Sequence, residues 1–208
     1  MFTRKDTYTI PDGLREYTER RFPSLGYRNL LEADPESYIS PVCQIYGKVK
    51  LGYHASVMAG AQLRGDTDYI EIGAESNVQE NCVIHVSEGN PTIVGEHSTV
   101  GHGAILHGCR IGDNALVGMG AIVLDGVVVE DNALVAAGAL VTKGTVVPSG
   151  YMAIGMPARI KGPMSEEQLT NNVTSFAEAN VVESLNMFNE GLLEHPSEEL
   201  FRKIGSIR

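Results

Sequence analysis

A repeat of six residues runs through most of the chain and limits what it can fold into. Written in sixes from Ile39, the sequence reads ISPVCQ, IYGKVK, LGYHAS, VMAGAQ, LRGDTD. Each block opens on an aliphatic residue. The first four carry a small or β-branched residue, or cysteine, at the fifth position. The pattern resumes at Ile72 (IGAESN, VQENCV, IH) and at Val94 (VGEHST, VGHGAI). After one five-residue step it runs on from Ile111 (IGDNAL, VGMGAI, VLDGVV, VEDNAL, VAAGAL, VTKGTV). A helix repeats about every 3.6 residues and a strand every 2, so neither produces this period. A short repeat rich in glycine, with 23 in the chain, describes a β-solenoid. Each short strand turns one aliphatic side chain inward and then bends. Such a unit cannot bury its own face, so the coils must stack. A β-sandwich would need hairpin signals, and these are missing.

Three segments follow: an N-terminal arm over 1–38, the solenoid over 39–160 and a C-terminal helical segment over 161–208. The arm is mostly polar, with a short helix expected around Leu14–Phe22. The solenoid ends after Gly155-Met-Pro-Ala-Arg-Ile. Ser165-Glu-Glu-Gln then reads as a capping box, a hydroxyl for the free amides with an acceptor three residues on. Leu169, Val173, Phe176, Val181, Leu185 and Phe188 predict one helix from Ser165 to Asn189 whose apolar stripe packs on the solenoid. A second short helix is expected over Ser197–Lys203.

Net charge is −10 and no run of Lys or Arg occurs, which speaks against nucleic acid or an anionic membrane as partner. No apolar run approaches the roughly 18 residues of a membrane span. The first residues lack a signal-peptide core, and Asp6, Asp12, Glu16 and Glu19 argue against a transit peptide, so a cytoplasmic protein is expected. Cys43, Cys82 and Cys109 form no Cys-x-x-Cys and are odd in number. They are expected to be buried small hydrophobes rather than disulfides or thiolate ligands.

Hexads of the form aliphatic-Gly-x-x-small-x resemble the signature of the left-handed parallel β-helix, over about residues 39–160. That resemblance implies three hexads, and so 18 residues, per coil. Two breaks then acquire meaning. Leu63 to Ile72 is nine residues, one hexad plus three; Ile84 to Val94 is ten, one hexad plus four. If the extra residues loop out, Arg64 to His85 (21 less three) and His85 to His107 (22 less four) are each 18. The three side chains then stack on successive coils about 4.8 Å apart. Two imidazoles at that spacing can share a metal at about 2.0–2.1 Å. His102, five residues before His107, falls near another corner, out of reach of its own chain's pair. Three solenoids about a threefold axis would bring it to a neighbour's pair. Gln79, one hexad before His85, falls beside His102. His54, His97 and His195 are read as solvated turn residues.

Around these histidines the residues resemble the γ-class carbonic anhydrases. The matching stretches are Arg64-Gly-Asp66, Asn77-Val-Gln79, Cys82-Val-Ile-His85 and Gly101-His102-Gly-Ala-Ile-Leu-His107-Gly. The chain looks most like the short-loop branch of that family. The resemblance implies a homotrimer with zinc, or iron(II) or cobalt(II), at each interface, bound by His85, His102 and His107. It implies reversible hydration of CO2 to bicarbonate by a metal-bound hydroxide. Arg64 and Asp66 would pair across the interface, Gln79 would hydrogen-bond the metal-bound water, and Asn77 would support the pocket. Where the archaeal prototype carries a glutamate directly after Arg-x-Asp, this chain has Thr67, and its loop after His85 is short. Glu88 is then the nearby candidate proton shuttle. Tyr151 matches a Ser-Gly-Tyr segment of short-loop members and is expected to line the pocket. A hexapeptide-repeat acyltransferase is the main alternative, since those proteins share the solenoid and often the Gly-x-Pro-Ala ending seen at Gly155–Ala158. A metal-bearing trimer serving as a thioesterase or a scaffold is a third.

Overall fold

Parallel pairing between residues one coil apart builds the molecule. The structure, a computed structural model, describes residues 29–205. The helix expected over Leu14–Phe22 lies outside the described residues. Ser56 pairs with Asn77, Asn77 with Thr99, Thr99 with Leu116, and Leu116 with Leu134, always in parallel. The result is the left-handed parallel β-helix that the hexads imply. Two of its faces belong to one 11-stranded sheet, and the third is an 8-stranded sheet.

The hexad explains the core. Leu63, Ile84, Leu106, Val123 and Val141 point inward on one face with no accessible surface. Ala61, Cys82, Ala104, Ala121 and Ala139 fill the adjoining corner, also fully buried. Burial pushes the thiols of Cys43, Cys82 and Cys109 up to about 12, about 11 and about 12, so they serve as neutral packing groups. Every coil must turn sharply at its corners. One corner column takes the left-handed backbone at His54, Glu75, His97, Asn114 and Asn132, with φ between 50° and 59°. Asn and His are among the non-glycine residues that tolerate this region best. His97 is such a corner residue, half-exposed, with Nδ1 2.9 Å from Glu75.

The extra residues loop out as the winding arithmetic requires. The strand Gln44–Leu51 pairs Gly47 with Gly65 but Lys48 with Tyr69, so Asp66, Thr67 and Asp68 bulge from the ladder. Beyond it, Arg64 pairs with His85 and His85 with His107.

Both flanks close the solenoid. Asn29–Ala33, within the arm segment, pairs in parallel with Gln44–Leu51 and extends the sheet. Helix α1 (Glu166–Leu169) opens on the capping box: Ser165 Oγ accepts from the Gln168 amide at 3.2 Å, and Gln168 Oε1 accepts from the Ser165 amide at 2.9 Å. A π-turn over Thr170–Thr174 leads into α2 (Ser175–Asn189), which lies across the third face. A last helix, α3 (Glu198–Gly205), places Leu200 and Ile204 against the core with Leu31 and Ala33. It covers an apolar solenoid end that would otherwise face water.

Two expectations are corrected here. The buried face of the helical segment is Val173, Ala177, Asn180 and Ser184, while Phe176 and Leu185 are 50 % and 46 % exposed. The π-turn shifts the helical register. The third face also presents Ser56, Asn77 and Thr99, which small and polar helix residues can meet at close range. Nor are His54 and His195 simple solvated turns. His54 stacks on Tyr53 with ring centroids 3.8 Å apart, and His195 lies 4.1 Å from Phe188 with Nδ1 2.9 Å from the Ser37 carbonyl.

Replacing Leu200 by alanine removes a fully buried side chain from the solenoid's cap. Urea denaturation should show a loss of about 2–5 kcal/mol, whereas an exposed apolar residue such as Val182 should tolerate the same change.

Candidate metal centre

The inter-coil ladder sets His85 directly over His107, and the rings meet edge to face with centroids 4.9 Å apart. His85 Nδ1 and His107 Nε2 face each other at 3.0 Å. Each ring turns its other nitrogen to a carboxylate. His85 Nε2 lies 3.0 Å from Asp66 Oδ1, and His107 Nδ1 lies 2.8 Å from Asp125 Oδ1. An ionised carboxylate only accepts hydrogen bonds, so in the neutral form of each ring the outer nitrogen carries the proton and the inner nitrogen a lone pair. Arg64 agrees, because its Nη2, which only donates, lies 3.4 Å from His85 Nδ1. Two lone pairs at that distance repel unless a proton or a metal ion lies between them. Two ligands about 2.0–2.1 Å from one tetrahedral zinc stand about 3.3 Å apart, close to the observed separation. The donor set therefore fits a metal ion, with carboxylates behind the imidazoles as such ions require.

Local electrostatics maintain that state. Burial pushes the Asp66 carboxyl up, but the hydrogen bond with His85 and the Arg64 guanidinium outweigh it and hold it below the usual carboxylate range. Burial, with the nearby Arg64 and His107 charges, lowers His85 against the upward pull of Asp66, which favours the neutral ring a metal needs. For Asp125, burial again acts upward, and hydrogen bonds from Lys143, Ser87 and His107 hold the carboxyl well below the usual range. Arg64 and Asp66 pair within the chain at 2.6 Å, whereas the resemblance implies pairing across an interface.

His102 stands at a different corner, half-exposed, with Nδ1 2.7 Å from Glu80. Among the described residues no three His, Cys, Asp or Glu side chains converge as a metal site. Gln79 neighbours His102, as the winding requires: its Oε1 accepts from the His102 amide at 3.2 Å and its Nε2 donates to Asn180 Oδ1 at 3.3 Å. Asn180, on α2, also donates to Thr99 Oγ1 at 2.9 Å. Asn77 is buried beneath the same helix and donates to Ser56 Oγ at 2.6 Å, while its Oδ1 has no partner among the described residues. Glu88 sits exposed in the loop after His85, where Ser87 and Asn90 pair. Tyr151 is not brought to the histidine pair; it begins the last coil, with its ring against Gly162.

Asp125, Lys143, Ser87, Glu80 and Asn180 were not singled out from the sequence. The first two were within reach of the same rule, since His107, Asp125 and Lys143 are 18 apart in turn. Asn180 was not, because only helix docking brings it to Gln79.

A groove of about 580 Å³ opens beside His102 and Gln79, between the third face and α2, and is lined mainly by apolar groups such as Met119, Leu134 and Phe176.

Comparison with known proteins gives consistent relatives. The model described as "Bacterial transferase hexapeptide (six repeats)" matches residues 108–143. A probable carbonic anhydrase of Methanocaldococcus jannaschii is 52 % identical over 125 residues, covering 60 % of this chain and 79 % of that one. Mitochondrial gamma carbonic anhydrase 1 of Arabidopsis thaliana is 38 % identical over 168 residues, covering 75 % of this chain but only 61 % of the plant protein. Among solved structures, a hexapeptide transferase family protein from Anaplasma phagocytophilum matches with a TM-score of 0.72 and 39 % identity, covering 75 % of this chain and 92 % of that one.

Asn180→Ala should remove the anchor of the part-buried Gln79 amide and leave the buried Thr99 hydroxyl short of a partner. The expected loss is about 1–3 kcal/mol in urea denaturation, with Gln79 no longer held in one orientation in a crystal structure of the variant.

Proposed function

The chain belongs to the γ-class carbonic anhydrase-like family of hexapeptide-repeat β-helices, and on that premise we propose that it is a trimeric metalloenzyme for reversible hydration of CO2. One observation carries the reading: two imidazoles, each backed by a carboxylate, aim bare nitrogens at one point. His85 and His107 of one subunit would hold the metal with His102 of a neighbour. Zinc suits three neutral imidazoles with one position left open; iron(II) and cobalt(II) are the alternatives. When bound, the ion supplies Lewis acidity that lowers the pKa of a coordinated water to about 7.

The rest of the chemistry falls to the chain. Gln79, tied at both ends of its carboxamide, presents a fixed donor and acceptor to the substrate. Asp66 keeps the His85 proton on Nε2, away from the shared point. Arg64 places a permanent positive charge beside it, suited to the departing bicarbonate. Glu88, exposed near His85, passes the released proton to solvent. The apolar groove beside Gln79 suits a small, uncharged substrate.

Surface chemistry supports the trimer. Val83 and Ile105, on the strands that carry His85 and His107, are 41 % and 38 % exposed. Met119 and Phe176, lining the groove by His102, are 58 % and 50 % exposed. Packing one subunit's histidine face on the next subunit's groove buries both patches and joins the two halves of the site.

Acyl transfer is the second reading, favoured by the groove's volume and by the transferase repeat model. Under it His102 would act as a base and the groove would hold an acyl-CoA.

The test combines metal analysis with subunit mixing. Purified protein should hold about one metal per chain. His102→Ala alone, and the double variant His85→Ala, His107→Ala alone, should each lose it. Co-refolding the two variants should restore part of the metal, because each supplies what the other lacks. Full metal retention by His102→Ala sinks the interfacial site. Stopped-flow CO2 hydration should rise with metal content. No hydration with zinc, cobalt or anaerobic iron sinks the activity, and protection of Phe176 and Met119 by acetyl-CoA would favour acyl transfer instead.

A further inference from the structure

His107 turns one ring nitrogen to His85 and the other to a carboxylate that is itself built in. Asp125 Oδ1 takes His107 Nδ1 at 2.8 Å and the Ser87 hydroxyl, also at 2.8 Å. Asp125 Oδ2 takes Lys143 Nζ at 2.9 Å. With both oxygens engaged from three directions, the carboxylate has one orientation. The backbone leaves room for it: Gly108, next to His107, has φ +58°, and a Cβ there would lie 2.9 Å from Asp125 Oδ1. Thr92 and Gly108 complete the cradle, with the Gly108 amide donating to Thr92 Oγ1 at 2.9 Å and Thr92 Oγ1 donating to the His85 carbonyl at 2.6 Å. The loop that supplies Ser87 is the four-residue excess between Ile84 and Val94. Its shortness keeps Ser87 over Asp125.

We propose that Asp125 is the positioning residue of the metal centre: it keeps the His107 proton on Nδ1 and so presents Nε2, as a lone pair, to the ion shared with His85. This rests on the metal-centre reading above. The pair is thereby held from opposite ends, His85 by Asp66 at Nε2 and His107 by Asp125 at Nδ1. A plain structural ion pair between Asp125 and Lys143 would need neither the contact to His107 nor the glycine beside it. Lys143 serves instead to keep the carboxylate ionised and fixed, and its own side chain stays 71 % exposed.

The experiment compares wild type, Asp125→Ala and Asp125→Asn. In metal-free protein, long-range proton–nitrogen correlation spectra of the imidazoles report the tautomer of each histidine. Wild type should show His107 protonated on Nδ1, and Asp125→Ala should shift it toward Nε2, with the His102 signals unmoved. Zinc affinity, measured by competition with a chelator, should fall about 10- to 100-fold in Asp125→Ala. Asp125→Asn, whose amide oxygen can still accept from Nδ1, should recover much of that loss. An unchanged His107 tautomer in Asp125→Ala, or equal zinc affinity in Asp125→Ala and wild type, overturns the proposal. If wild type takes up no zinc, the metal-centre reading fails, and the tautomer spectra still decide whether Asp125 orients His107.

Discussion

Register between coils is the constraint on which the rest depends. Each coil offers one aliphatic per face to a narrow triangular core, and each strand pairs only with those directly above and below. A slip of one residue would turn the buried aliphatics outward. The ladder therefore cannot absorb extra residues; they must leave it. That is why Asp66–Asp68 bulge and why the loop after His85 projects. The same rigidity makes side chains far apart in sequence lie a coil spacing apart in space, which a flexible loop could not guarantee.

On this apolar frame the chain sets a polar column. Arg64, Asp66, His85, His107, Asp125 and Lys143 form a continuous run of polar contacts along one edge, with cations at both ends, carboxylates inside them and the two imidazoles at the centre. Hydrogen bonds outward from the rings leave the lone pairs inward. Burying such an edge at an interface would be costly for an unpaired charge. Here the charges are paired in advance, and the one uncompensated feature is the facing pair of lone pairs. The arrangement is one that the cation site proposed above would use, with its third ligand supplied by a neighbour.

The third face shows a different use of polarity. A helix that packed on it through Phe and Leu would strand Ser56, Asn77 and Thr99 beneath an apolar cover. Docking through Ala177, Asn180 and Ser184 satisfies Thr99 and extends a hydrogen bond to Gln79. It also leaves Phe176 and Leu185 outside. A reading of helical spacing favours the larger side chains as the buried stripe. It cannot see that the opposite surface is partly polar, nor that a π-turn rotates the helix.

From the sequence alone, the period of six determined a β-solenoid and the inward set from Ile39 to Val141, and the 18-residue coil that the family resemblance implies gave the stacking of Arg64, His85 and His107. Each is a matter of counting along a chain whose geometry repeats. Counting could have reached Asp125 and Lys143 as well, since they obey the same interval. The capping box at Ser165 was legible because both of its bonds are local. Tertiary structure alone decided the rotation of the C-terminal helix, the tie between Asn180 and Gln79 and the role of Leu200 as a plug. Those outcomes depend on surfaces that meet only after the coils have stacked, and no interval along the chain encodes which surfaces these are.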